Sequence, residues 1–183
     1  MKNPWKTLSS KIVYQNPWMR VHEDAVITPT GKEGIYGFFE SKDSVIVGAL
    51  NEKNEIYLIY AYSYPAKCWR WQLPGGGGEN EDIIEASKRE LAEETGIAAN
   101  SWEKLQSTRV CDGFMTERTT TLLARELTLG ERAQAEDNGL IAKGDFFSLD
   151  SVRDMVEAGD IDDGQSVTAL YLIEKWLAKH RNM

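Results

Sequence analysis

Residues 75–97, GGGGENEDIIEASKRELAEETGI, decide how this chain reads. The glycine run Gly75 to Gly78 leads into Glu81 to Thr95, where Ile84 and Leu91 stand seven apart with Ser87 between them, the period of a helix with one buried stripe. Gly96 follows where helices commonly end. On such a helix each residue turns about 100°, so Glu90 shares a face with Glu93 and Glu94 at i+3 and i+4. Like charges so placed repel by roughly 0.2–0.5 kcal/mol a pair, which calls for a positive partner against that face. Hard carboxylate oxygens at this density suit Mg²⁺ or Mn²⁺. Arg89, four residues after Glu85 and four before Glu93, is spaced to fix a carboxylate's orientation. The glycines permit close backbone approach, turning a carbonyl near Gly75 toward a cation and the amides of Gly76 and Gly77 toward phosphate oxygens.

Upstream of this stretch the chain reads as strands. Lys11 to Gln15, Met19 to Ile27, Ile35 to Glu40, Ser44 to Leu50 and Glu55 to Ser63 are β-branched or aromatic, separated by Asn16-Pro17, Pro29 to Lys32 and Asn51 to Asn54. Downstream, Arg118 to Leu127 predicts a strand, Leu149 to Ala158 a short helix and Ser166 to Lys179 an amphipathic helix. Strands and helices without strict alternation argue for an α+β fold, a mixed sheet between helices.

With 183 residues, 42% hydrophobic and 18 aromatic side chains, the chain has apolar surface enough for one core, so 1–183 reads as a single domain with 1–42 as N-terminal strands. Its formal charge of −8 repels a nucleic-acid backbone and speaks against duplex partners. An acidic protein handles a small polyanion only where a cation reverses the local field. Cys68 and Cys111 lie outside any C-x-x-C, giving neither a zinc cage nor a disulfide framework. The apolar run Val45 to Leu50 is too short to span a bilayer, so the expected setting is the cytoplasm, away from membranes.

Seven fixed identities (Gly75, Glu81, Arg89, Glu90, Glu93, Glu94 and Gly96), with Leu91 and Ile97 at the aliphatic positions, resemble the Nudix box, G-x5-E-x7-R-E-U-x-E-E-x-G-U, at every position. The resemblance implies an α/β/α sandwich with a mixed sheet. It also implies Mg²⁺-dependent attack of water on a diphosphate, with Glu90, Glu93 and Glu94 holding the metal and Glu93 and Arg89 counted with the catalytic group.

Beyond the box, Leu58 to Pro65, Trp71 to Gly76, Gly113 to Glu117 and a terminal helix after Asp163-Gly164-Gln165-Ser166 are similar, in order, to the ADP-ribose pyrophosphatase and nucleoside diphosphate sugar hydrolase branch. That branch implies cleavage of a nucleotide sugar, such as GDP-mannose or ADP-ribose, to a nucleoside monophosphate and a sugar phosphate. Its members are typically homodimers whose N-terminal strands reach the partner's pocket, which makes Trp5, Tyr14 or Trp18 candidates to stack on a base. Ser63 stands where the branch commonly carries a phosphate-binding arginine, with Arg70 the nearest substitute, and Asp112 stands where ADP-ribose hydrolases often have proline. The catalytic base is expected in the polar loop Glu131 to Gly139, with Glu136 first and Asp137 second; Glu117 remains a candidate. Two other readings stay open: another nucleotide class (a dinucleoside polyphosphate or damaged nucleoside triphosphate), and a non-catalytic nucleotide-sensing module.

Overall fold

The computed structural model describes residues 2–78, 81–130 and 139–180. Two compact units are present, Met1–Asp43 with Arg109–Arg118, and Ser44–Thr108 with Thr119–Met183.

The first unit is an antiparallel sheet of β1 (Lys6–Gln15), β2 (Arg20–Ile27) and β3 (Glu33–Glu40), in that order. The turn at Asn16 forms because its side-chain carbonyl accepts the amides of Trp18 and Met19, both at 2.9 Å. Gly31, at φ 82°, makes the next turn. The outer strand β1 is exposed throughout, including Leu8, Ile12, Val13 and Tyr14.

In the second unit the strands are β4 (Ser44–Ala49), β5 (Ile56–Ser63), β6 (Cys68–Gln72), β7 (Gly75–Gly77), β8 (Ile97–Arg109), β9 (Arg118–Leu129) and β10 (Ile141–Phe147). The helices are α1 (Ile83–Thr95), α2 (Leu149–Ala158) and α3 (Gly164–Lys179). One sheet runs β7-β4-β9-β8, with β4 parallel to β9 and antiparallel to β7; the other runs β10-β5-β6, antiparallel. Strand alternation on β4 explains the layering. Val45 and Val47 pack toward Ala86 and Leu91 of α1, whereas Ile46 joins Val152 of α2 and Leu170 and Ile173 of α3. Gly48 lies on the α3 side, where an added Cβ would come within 2.3 Å of the Ile173 Cδ1. The mixed sheet between helices matches the α+β expectation. Among the described residues no helix is long and apolar enough to cross a membrane.

Gly75 to Gly77 forms a strand, paired so closely with β4 that a Cβ on Gly75 would sit 2.3 Å from the Val45 carbonyl oxygen. Here glycine is required by the neighbouring backbone, not by its freedom.

Candidate active site

Helix α1 ends at Thr95 as the sequence places it but begins two residues later than Glu81, at Ile83. The Asp82 carboxylate accepts the Ile84 amide at 2.8 Å and Gly96, at φ 72°, closes the far end. Ala86, Ser87, Leu91 and Thr95 are its buried residues. Burying a leucine side chain such as that of Leu91 is worth about 1.5–3 kcal/mol, which fixes the helix's rotation and turns Arg89 and Glu93 outward.

The glycine strand is fixed from two sides. Leu73 N–H donates to the buried Ser166 Oγ of α3 at 3.0 Å, and the Pro74 carbonyl accepts the Val47 amide at 2.9 Å. Gly75 N–H then donates to Glu94 Oε2 at 2.8 Å, so the first amide of the glycine strand faces a carboxylate of α1. Gly76 lies against the Glu90 carboxylate, and a Cβ there would fall 2.6 Å from its carbon.

Arg89 ties these parts together. Its Nε and Nη2 both donate to Glu81 Oε1, at 3.0 and 2.9 Å, and Nη2 also donates to the Gly77 carbonyl at 3.0 Å. Nη1 lies 3.0 Å from Glu93 Oε2 and 2.9 Å from Glu90 Oε1. The partner at the helix start is therefore Glu81, not Glu85, which pairs with Lys88 at 2.8 Å. Burial works against the Arg89 charge, but the Glu81 hydrogen bonds and the nearby Glu90 and Glu93 outweigh it and lift the guanidinium pKa above its usual range. Burial pushes the Glu90 carboxyl above the usual carboxylate range, with Arg89 pulling the other way; its side chain is only 12% exposed.

Among the described residues, no three His, Cys, Asp or Glu side chains are gathered as a ready metal cage. The donor chemistry nonetheless fits a hard divalent cation: a single guanidinium faces the three carboxylates of Glu81, Glu90 and Glu93, and Glu90 is buried at a cost that positive charge would offset. Glu90, Glu93 and Glu94 could hold the ion, all on α1 and beside the glycine strand.

Of the remaining candidates, Arg70 on β6 has a partner of its own, Asp162 at 2.6 Å. Trp18 and Glu117 belong to the first unit, Trp18 being 79% exposed in the turn after β1 and Glu117 accepting the Ser41 hydroxyl at 3.3 Å. Glu136 and Asp137 lie outside the described residues. Sequence reasoning gave no task to Glu81 or to the Gly77 carbonyl; the fixed spacing of Glu81 ahead of Arg89 was the available signal for the first, and nothing signalled the second.

A model of the nucleoside diphosphate sugar hydrolase N-terminal domain matches residues 5–39, and the NUDIX domain model matches residues 40–170. The chain is 22% identical to an ADP-ribose pyrophosphatase of Bacillus subtilis over 170 residues, covering 92% of each chain. It is 26% identical to the ADP compounds hydrolase NudE of Escherichia coli over 172 residues, covering 92% of this chain and 83% of the relative. A crystal structure of an ADP compounds hydrolase superposes with a TM-score of 0.85 at 19% identity, across 98% of this chain and 97% of that one, a likeness of fold.

Proposed function

The chain belongs to the NUDIX domain family, and on that premise we propose that it is a pyrophosphohydrolase of nucleoside diphosphate sugars, working with Mg²⁺ or Mn²⁺. Water adds to one phosphorus, the bridging P–O bond breaks, and the products are a nucleoside monophosphate and a sugar phosphate. The observation that carries the substrate class is the match of residues 5–39 to the N-terminal domain of nucleoside diphosphate sugar hydrolases. The names of the two relatives, both hydrolases of ADP compounds, support it.

When bound, the divalent cation supplies positive charge that offsets the diphosphate's own and lowers the pKa of water. The chain's residues do the rest. Glu90, Glu93 and Glu94 hold the ion. Arg89 keeps Glu93 and Glu90 in one orientation by anchoring itself to Glu81 and the Gly77 carbonyl, so no reorganisation is needed when substrate arrives. Gly75, Gly76 and Gly77 bring backbone beside those carboxylates, leaving room for phosphate oxygens. Glu136, with Asp137 second and Glu117 third, takes the proton from water. Trp18 stacks on the base.

The setting we propose is cytoplasmic, consistent with Cys68 and Cys111 both being free. Two copies associate through the first unit, whose edge strand β1 displays Leu8, Ile12 and Val13 at about half exposure.

The experiment is a comparison of GDP-mannose, ADP-ribose, diadenosine tetraphosphate and dGTP, each with Mg²⁺, by chromatographic separation of products. Fastest release of nucleoside monophosphate from one of the first two is expected. Preference for either of the last two would overturn the substrate class, and binding without cleavage of all four would favour a sensing module.

A further inference from the structure

The negative charge of this chain is concentrated in one place. From Asp145 to Asp163 there are seven Asp and Glu against one Arg, so these 19 residues carry −6 of the formal −8. On α2, Asp150, Asp154 and Glu157 follow one another at i, i+4 and i+7, which sets them along one flank of the helix. Arg153 is shared between Asp150 and Glu174, and among the described residues Asp154 and Glu157 have no cationic partner.

An apolar groove of about 220 Å³ lies between α2 and α3, below the usual size of a ligand pocket but open to inserted side chains. Val152 and Leu170 are buried at its base, in one apolar cluster, and Val156 and Val167 pack half-buried against that cluster. Tyr171 stands at its edge, 57% exposed, and Glu157 of the acidic flank lines it as well. Lys175, with Nζ 5.3 Å from the Tyr171 centroid, belongs to the α3 margin. Arg153 of α2 donates to Glu174 of α3. A second recess, of about 630 Å³, shares Leu149, Arg153 and Glu174 with the groove and continues to Trp176 and His180. The resulting trough follows α3 from Val167 to His180, about 20 Å at 1.5 Å per residue. That length suits a polypeptide segment better than a small molecule.

The charge decides among occupants. A second copy of this chain brings its own −8, and nucleic acid and anionic lipid surfaces are repelled in the same way. A basic amphipathic helix is attracted by both features of the trough. Its apolar side chains at i, i+3, i+4 and i+7 enter between α2 and α3, while lysines or arginines on its flank meet the acids of α2.

We propose that the α2–α3 trough is the docking site for a basic amphipathic helical segment of a partner protein. Val156, Val167 and Tyr171 receive its apolar side chains, and Asp154 and Glu157 its cationic ones. None of the α1 carboxylates lines this trough, so docking there is a property separate from hydrolysis.

The probe is a fluorescein-labelled leucine–lysine peptide of roughly 14 residues, long enough to follow the trough, with its leucines at helical spacing. Titrated with the full chain and followed by fluorescence anisotropy, it is expected to bind saturably. Binding should weaken at least about tenfold in Tyr171→Ala, and likewise in the double variant Asp154→Asn with Glu157→Gln, all three being exposed side chains. A peptide with glutamate in place of lysine, and one of the original composition with its leucines scattered around the helix, should bind no better than the variants do. Amide exchange should slow in α2 and α3 when the first peptide is bound. Equal affinity for the scattered peptide, or affinity unchanged in both variants, would show attraction by net charge alone and overturn the docking site. So would a doubled sedimentation mass that Tyr171→Ala abolishes and Ile12→Lys does not, which would give the trough to a second copy.

Discussion

The Glu94 carboxylate accepts the Gly75 amide proton at 2.8 Å, joining the last turn of α1 to the glycine strand. This bond makes one unit of two segments that the sequence separates by 18 residues. Because β7 is also paired to β4, the carboxylates of α1 are referenced to the sheet and not only to their own helix.

The three glycines of β7 should therefore differ in what they tolerate. Gly75→Ala places a methyl into the Val45 backbone and should lower stability by about 1–3 kcal/mol, read from the urea midpoint. Gly76→Ala pushes on the Glu90 carboxylate, so it should weaken metal affinity more than stability. Gly77 has open space around its Cα, and Gly77→Ala should change neither.

Arg89→Lys keeps the charge but cannot reach Glu81, Glu90, Glu93 and the Gly77 carbonyl together from one ammonium group. Turnover is expected to fall at least about tenfold, with far-UV circular dichroism unchanged. Wild-type turnover in that variant would show that orientation by the guanidinium is unnecessary.

Leu91→Ala removes a fully buried side chain between α1 and β4 and should cost about 2–5 kcal/mol in chemical denaturation. Lys88→Ala on the solvent face breaks only the exposed pair with Glu85 and should stay within about 0.5 kcal/mol.

The raised Glu90 pKa gives a pH signature in the metal-free protein. A carboxyl whose folded pKa lies above its unfolded value contributes stability that is fully present below the unfolded pKa and is lost as pH rises through the folded one. Denaturation midpoints in chelator should fall across that window in the wild type and fall less in Glu90→Gln. Identical pH slopes for the two would contradict the burial of this group.

Dimerisation through β1 is checked by sedimentation. Twice the 20.7 kDa chain mass is expected at micromolar concentration, shifting toward a single chain in Ile12→Lys. A single-chain mass for the wild type would remove that association.

How far the sequence could be read follows from where each signal is local. Helix α1 was legible because stripe and stop lie within the segment, at Leu91 and Gly96, while the unread cap at Asp82 left its start two residues early. Helix α2 was found at its observed bounds, Leu149–Ala158, and the structure shows why they are sharp: Ser148 caps one end and Gly159, at φ 81°, closes the other. Strand β8 was missed because IAANSWEKLQSTR has no β-branched run and stays largely half-exposed, so its pairing is decided by the sheet. Strand β10 hides behind Gly144, which is there because the Tyr57 ring leaves no room for a Cβ. Strand β6 follows directly on a turn signal, and β7 has no side chains to read. At the site, the shared face of Glu90 and Glu93 was a helical regularity, whereas Glu81 precedes the helix and meets Arg89 only once the chain has turned, so its fixed spacing marked it without the helical period revealing its partner.

Titration of the chelator-treated protein with Mn²⁺, followed by electron paramagnetic resonance of the free ion, tests the central claim most directly. Saturable binding is expected in the wild type and its loss in Glu90→Gln and Glu94→Gln, with folded spectra retained. Equal binding by all three proteins would contradict the assignment of this helix face to the metal.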